Sequence, residues 1–214
     1  MTTAAPRRPI LVLGTANRKK GMELAGLLSA VGLELKTLAD CADPIRVVED
    51  GRTFAENAAR KAVQQARHLR LWVLADDSGL AVDALGGEPG VASARYSSPD
   101  ATDASNNRLL LERLAGVPPA GRTAQFVCHV TLADPSGTIR AETEASCRGR
   151  ILATPEGTGG FGYDPLFEIV EYHRSFGTLS PLVKSCLSHR ARAVTLLVPR
   201  LMELVDSGRW DGPW

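Results

Sequence analysis

Apolar positions along this chain fall into blocks whose spacing alternates between strand and helix periods. Ile10 to Leu13 is a short, wholly apolar run, the pattern of a strand covered on both faces. Behind it, Met22, Leu24, Leu27, Leu28 and Val31 recur close to the 3.6-residue period and predict a helix over 19–32. Residues 33–38, LELKTL, read as a second strand. A polar stretch to Gly51 is followed by a strong helical pattern over 53–70, with Thr53 as N-cap and Glu56 completing a capping box. WVLAD, residues 72–76, reads as a strand. The order strand, helix, strand, loop, helix, strand predicts an α/β sheet.

The later pattern changes character. Residues 80–97 are rich in Gly, Pro and Ser and read as an ordered loop, and 103–116 as a helix ending at Gly116. Two long alternating runs, 123–134 and 137–151, flank the turn sequence DPSG and predict a β-hairpin in a second lobe of mixed or antiparallel sheet. A closing helix over 188–208 carries Pro199, expected to kink or interrupt it. The tail after Ser207 holds Trp210 and Trp214, expected to pack locally or on a partner.

Composition narrows the class. The 214 residues are 44% hydrophobic and 23% charged, which suits one large domain or two packed lobes. A net charge of +1 argues against a general nucleic-acid binder. No apolar run approaches the ~20 residues that span a bilayer, and MTTAAPRRPI carries no apolar core of a signal peptide. Cys41, Cys128, Cys147 and Cys186 are scattered without a C-x-x-C pair, as expected for reduced, mostly buried thiols. The expected location is the cytoplasm.

The candidate chemistry begins where strand meets helix. TANRKK places Arg18, Lys19 and Lys20 at a strand end and helix start, where backbone N–H groups and the helix dipole favour an anion. The segment lacks the G-K-[ST] ending of a P-loop. GTGGFG, residues 157–162, fits the dinucleotide pattern by letter, but Tyr163, Asp164 and Pro165 follow it and no strand-to-helix context surrounds it. ADDSG offers two adjacent carboxylates, Asp76 and Asp77, ahead of a sharp Ser-Gly turn. This is either a turn and cap cluster or a Mg²⁺ site at a strand's carboxyl end. Neighbouring strand residues point to opposite sides, so one aspartate can hold metal while the other orients a neighbour. Glu49 and Asp50 are further carboxylates, or plain solvated loop charges. FGYDP is either a glycine-rich turn with Phe161 in the core or a platform on which a base stacks. KSCLSHR places Lys184, His189 and Arg190 at the start of the last helix with Ser188 as its N-cap.

Taken together, TANRKK, TFAENAARKA, LADDSGLAVDALGGEPGVASARYS, GTGGFGYDPLF and KSCLSHR resemble the Ham1 (inosine triphosphatase-like) family of non-canonical purine nucleoside triphosphate pyrophosphatases, from about Ile10 to about Leu204. The resemblance implies a two-lobed α/β fold, with an elongated mixed β-sheet flanked by helices and a central cleft. It implies a single domain over 10–206 between tails at 1–9 and 207–214, and a homodimer. TANRKK corresponds to a phosphate-binding segment of pattern T-G-N-x-x-K. Thr15, Ala16, Asn17, Arg18, Lys19 and Lys20 then hold the phosphates, with Ala16 in place of the usual glycine. Asp77 is implied as catalytic acceptor and metal ligand, and Glu49 as the second carboxylate on Mg²⁺. Ser78, Phe161, Gly162, Tyr163, Asp164, Lys184, His189 and Arg190 match substrate-binding positions. Phe161 then stacks on the purine, while His189 and Arg190 donate to its 6-keto oxygen. The implied reaction hydrolyses ITP, dITP and XTP to the monophosphate and pyrophosphate, with no nucleic-acid or membrane partner. A Maf-type pyrophosphatase and a nucleotide sensor that lost turnover through Ala16 stand as alternatives.

Overall fold

The computed structural model describes residues 8–211. Most of the expected N-terminal tail, and Trp214 in the C-terminal one, lie outside the described residues.

Seven strands form one sheet in the order β2-β1-β3-β4-β5-β6-β7. β1 (Ile10–Leu13) lies parallel to β2 (Glu34–Thr37) on one side and to β3 (Trp72–Val82) on the other. β4 (Thr123–Ala133) and β5 (Ile139–Ile151) form the expected hairpin and continue the same sheet antiparallel to β3. Short β6 (Phe167–Ile169) and β7 (Arg174–Ser175) complete it, also antiparallel.

The apolar run of β1 has the predicted two-sided cover. Leu11 and Leu13 pack with Leu24 and Leu28 of α1 (Arg18–Leu28) and with Val194, Leu197 and Leu201 of α5 (His189–Asp206). Val12 points the other way, into a core with Ala62 and Ala66 of α2 (Phe54–Leu69). A third core gathers Leu80, Val82, Phe126, Phe167 and Phe176 with Leu110 of α3 (Asp103–Arg113). Helices thus cover both sheet faces, as parallel strands require.

Several local expectations change. Met22 is exposed, because α1 buries the row Gly21, Leu24 and Leu28 instead. Thr53 accepts the Glu56 N–H, but Glu56 takes the N–H of Arg52 rather than that of Thr53, so the capping box is only half formed. DDSG is not a turn. β3 runs straight through it, with Asp77 opposite His129 and Ser78 opposite Cys128. Gly79 serves close approach, since a Cβ there would lie 2.3 Å from Ser93 Oγ and 2.6 Å from the Gly90 carbonyl oxygen. The stretch read as a loop from residue 80 is therefore strand to Val82, then short 3-10 turns at Asp83–Leu85 and Gly90–Arg95.

Pro199 lies inside α5 without interrupting it. Burial of Leu197, Leu201 and Leu204 around it offsets the ~3 kcal/mol that an interior proline costs. Lys184 belongs to a separate short helix, α4 (Pro181–Leu187), rather than to the closing one. Cys128 and Cys147 are buried, Cys41 is half-buried and Cys186 is exposed; all four are free thiols. Trp210 packs locally, its ring stacked on Trp72 at 4.2 Å while Trp72 Nε1 donates to the Trp210 carbonyl at 3.0 Å.

Candidate active site

The β1–α1 junction is built as its sequence suggests. Gly14 passes close to β3, where a Cβ would meet Val73 Cγ1 at 2.7 Å. Asn17 is the N-cap of α1, its Oδ1 accepting the N–H groups of Lys19 at 3.0 Å and Lys20 at 3.2 Å. Thr15 Oγ1 accepts the Asn17 N–H at 3.2 Å. Ala16 is exposed, and among the described residues the non-glycine positions with positive φ are Arg70 and His173. The alanine methyl therefore sits on ordinary backbone and carries no strain from replacing a glycine.

The two aspartates diverge as alternation along a strand dictates. Asp76 faces α1 and α5 and is fully buried. Arg190 donates to its Oδ2 from Nε at 3.1 Å and from Nη2 at 3.0 Å, and the Lys20 ammonium lies 3.7 Å away. Burial opposes ionisation, but Lys20, Arg190 and Lys61 outweigh it and hold the carboxyl well below the usual carboxylate range. Its Oδ1 is buried without a partner.

Asp77 faces α2. Its Oδ1 accepts from Lys61 Nζ at 3.0 Å, and its Oδ2 from Asn57 Nδ2 at 3.2 Å. The same ammonium reaches Glu49 Oε2 at 2.9 Å, so Lys61 brings together the two carboxylates expected to bind metal. Burial would neutralise Lys61, but Asp77, Asp76 and Glu49 outweigh it and raise its pKa. No cluster of three or more His, Cys, Asp or Glu side chains able to hold a metal occurs among the described residues. Two carboxylates within reach of one cation nevertheless fit a Mg²⁺ that takes its remaining ligands from water and substrate phosphates.

A cleft on the Asp76 side is lined by Asn17, Lys20, Ser78, Phe161, Gly162, Tyr163, Asp164, Lys184, His189 and Arg190. Sequence regions separated by more than a hundred residues meet there. Of the expected phosphate-binding segment, Asn17 and Lys20 line this cleft and Thr15, Ala16, Arg18 and Lys19 do not, while Glu49 and Asp77 gather on the α2 side of β3.

Phe161 is half-buried rather than part of the core, with the Lys184 ammonium 4.6 Å and the Arg190 guanidinium 5.9 Å from its ring centre. Asp164 accepts the Phe161 N–H at 2.7 Å and the Lys184 ammonium at 2.6 Å, which fixes the turn beneath the ring. Burial pushes the Asp164 carboxyl upward, against the pull of Lys184.

His189 is buried and stacks on Phe126, with ring centres 4.8 Å apart and planes within 14°. Burial and the charges of Arg190 and Lys184 push its pKa well below 6.5, so the imidazole is neutral, and its Nδ1 is buried without a partner. Arg190 also donates to Ser78 Oγ at 2.7 Å and to Glu23. With Asp76, these contacts occupy four of the five guanidinium N–H donors and leave one on Nη1.

Sequence reasoning missed Lys61, Asn57, Glu23, Phe126 and Asp103. Lys61, Asn57 and Gln65 lie on the alanine-lined buried stripe of α2, and polar residues at core positions were the available signal. Glu23, which receives Lys184 Nζ at 2.8 Å and Arg190 Nη1, had no comparable signal.

A model of the Ham1 family matches residues 11–200. The chain is 53% identical over 197 residues to a dITP/XTP pyrophosphatase of Rhodopirellula baltica, covering 92% of this chain and 95% of that one. It is 48% identical to the protein of the same name in Geobacillus kaustophilus, covering 91% and 95%. A Ham1 protein structure from Coxiella burnetii superposes with a TM-score of 0.83 at 34% identity, covering 91% of this chain and 99% of that one. Coverage of this extent, in sequence and in three dimensions, places the chain in the Ham1 family.

Proposed function

We propose that this protein hydrolyses non-canonical purine nucleoside triphosphates, ITP, dITP and XTP, between the α- and β-phosphates. The observation that carries the reading is His189. A neutral, buried imidazole with an unpartnered Nδ1 stands beside a guanidinium with a free N–H, on the wall of a cleft that contains Phe161. Two N–H groups so placed donate to a 6-keto oxygen, which accepts both. Adenine presents an amino group there, so donor would face donor and a buried polar group would go unpaired, which discriminates by ~10⁴. The names of the relatives, dITP/XTP pyrophosphatases, support the same substrate class.

In this reading Phe161 stacks on the purine, and Lys20, with Thr15 and Asn17, holds the phosphate chain. Arg18 and Lys19, exposed at the start of α1, add positive charge to that end. Asp77 orients and deprotonates the attacking water, and Lys61 anchors that carboxylate through its Oδ1. Bound Mg²⁺ would rest on Glu49 and Asp77 and neutralise charge on the phosphate oxygens. Asp76 positions Lys20 and Arg190. We place the enzyme in the cytoplasm as a homodimer. No helix among the described residues is long and apolar enough to cross a membrane.

The test is pyrophosphate release with Mg²⁺ across ITP, dITP, XTP, GTP, ATP and a modified pyrimidine triphosphate. Turnover of the first three with ATP nearly untouched is expected, and GTP, which carries the same 6-keto oxygen, reports whether the pocket also discriminates at the purine 2-position. Asp77→Asn should cut turnover by ~10³ while ITP still binds. Preference for the pyrimidine would overturn the assignment of Phe161, His189 and Arg190. Binding without turnover in the unaltered enzyme would favour a sensor.

A further inference from the structure

Most cations at the cleft are committed to well-shielded carboxylates: Lys20 to Asp76, Lys184 to Asp164 and Glu23, Arg190 to Asp76 and Glu23. Lys19 differs. Its ammonium lies 3.5 Å from Asp103 Oδ2, with both side chains more than half exposed, and 5.7 Å from the centre of the Phe161 ring. The same Oδ2 of Asp103 accepts the Gly162 N–H at 2.9 Å. Asn107, one turn along α3, donates to the Gly162 carbonyl at 3.0 Å. The turn that bears Phe161 is therefore gripped from α3 through both polar groups of Gly162, and one of those grips is shared with a lysine of the phosphate-binding segment.

We propose that Lys19 and Asp103 form a charge latch across the mouth of the cleft, closed in the ligand-free protein and opened when a triphosphate draws Lys19 away. This rests on the triphosphate reading above. Magnitudes decide the direction. An exposed pair with one carboxylate contributes little, whereas a triphosphate chain faces the ammonium with several negative charges and so attracts it more strongly at equal distance. The phosphate therefore wins the competition for Lys19. Departure of Lys19 removes one cation from beside the Phe161 ring, while Lys184 and Arg190 stay at 4.6 and 5.9 Å from its centre. It also leaves Asp103 Oδ2 to the Gly162 N–H alone. Binding at the phosphate end thus opens and tightens the base end, and Asp103 is a positioning residue acting through Lys19 and Gly162.

The experiment is a cycle of Asp103→Asn, Lys19→Met and the double variant, read by KM for ITP and by Tm without ligand. The asparagine oxygen still accepts the Gly162 N–H, so Asp103→Asn removes the latch and keeps the brace. Its KM should fall about three-fold, in line with an exposed pair. With Met at position 19 the same change should leave KM where Lys19→Met alone puts it. A fall that persists there would mean simple repulsion between Asp103 and phosphate, and would overturn the latch. A rise in KM would make Asp103 a brace only and overturn it equally. Without ligand, the two substitutions should affect Tm non-additively, and additive effects would overturn the latch. If the unaltered protein releases no pyrophosphate from any triphosphate, the substrate reading has failed instead, while the Tm cycle still decides whether Lys19 and Asp103 are coupled in the ligand-free protein.

Discussion

The ammonium of Lys61 lies 3.0 Å from Oδ1 of Asp77, closing a contact between the centre of α2 and the middle of β3. Both side chains are about nine-tenths buried, and the more exposed Glu49 shares the same ammonium on the α2 side of β3. Lys61→Met leaves Asp77 without its cation in a shielded site, a loss worth about 3 kcal/mol. Tm should drop by roughly 6–10 °C. Pyrophosphate release should fall by ~10², and Lys61→Arg should recover part of it. Full turnover in Lys61→Met would remove this lysine from the site.

His189 makes stability depend on pH in a defined direction. Its folded pKa is depressed, so below the unfolded value of 6.5 the unfolded chain binds a proton that the folded one refuses. Stability contributed by the neutral ring is present above pH 6.5 and is lost as pH falls below it. Thermal unfolding from pH 7.5 to 5 should show a decline that His189→Gln flattens. An identical slope in both proteins would mean that His189 titrates normally.

Glu23 links the two cations of the base end, taking Lys184 through one oxygen and Arg190 through the other. Glu23→Gln should raise KM for ITP by about ten-fold, because both cations lose a charged anchor. Combined with Lys184→Met, the effect should be less than additive, since the residues act as one network. Strict additivity would separate them.

Gly79→Ala tests the reading of DDSG as strand. The added methyl would press on Ser93 Oγ and the Gly90 carbonyl, which cannot both retreat without moving the 90–95 turn. Overpacking of this kind costs about 2 kcal/mol, or roughly 4–8 °C in Tm. A Tm within a degree of the unaltered protein would show that the turn yields freely.

Local chemistry made much of this molecule legible in its sequence. The β1–α1 junction, α2 behind its Thr53 cap, the DPSG hairpin and the Ser188 cap each rest on residues a few positions apart. Their periods and caps therefore carry the information directly. Residue types also marked which segments carry chemistry, because phosphate, base and metal each demand recognisable groups.

Only tertiary structure decided how those segments combine. DDSG looks like a turn until ten residues of β4 pair along β3 and hold it extended, an outcome that long-range pairing imposes over local turn preference. That extension sends Asp76 to Lys20 and Arg190 and Asp77 to Lys61. A lysine that sequence assigns only to a helix face thereby becomes the counter-charge of the candidate catalytic carboxylate. The physical reason is that burial and partner charge, which set the state of Asp76, Lys61 and His189, are properties of packing between elements distant in the chain.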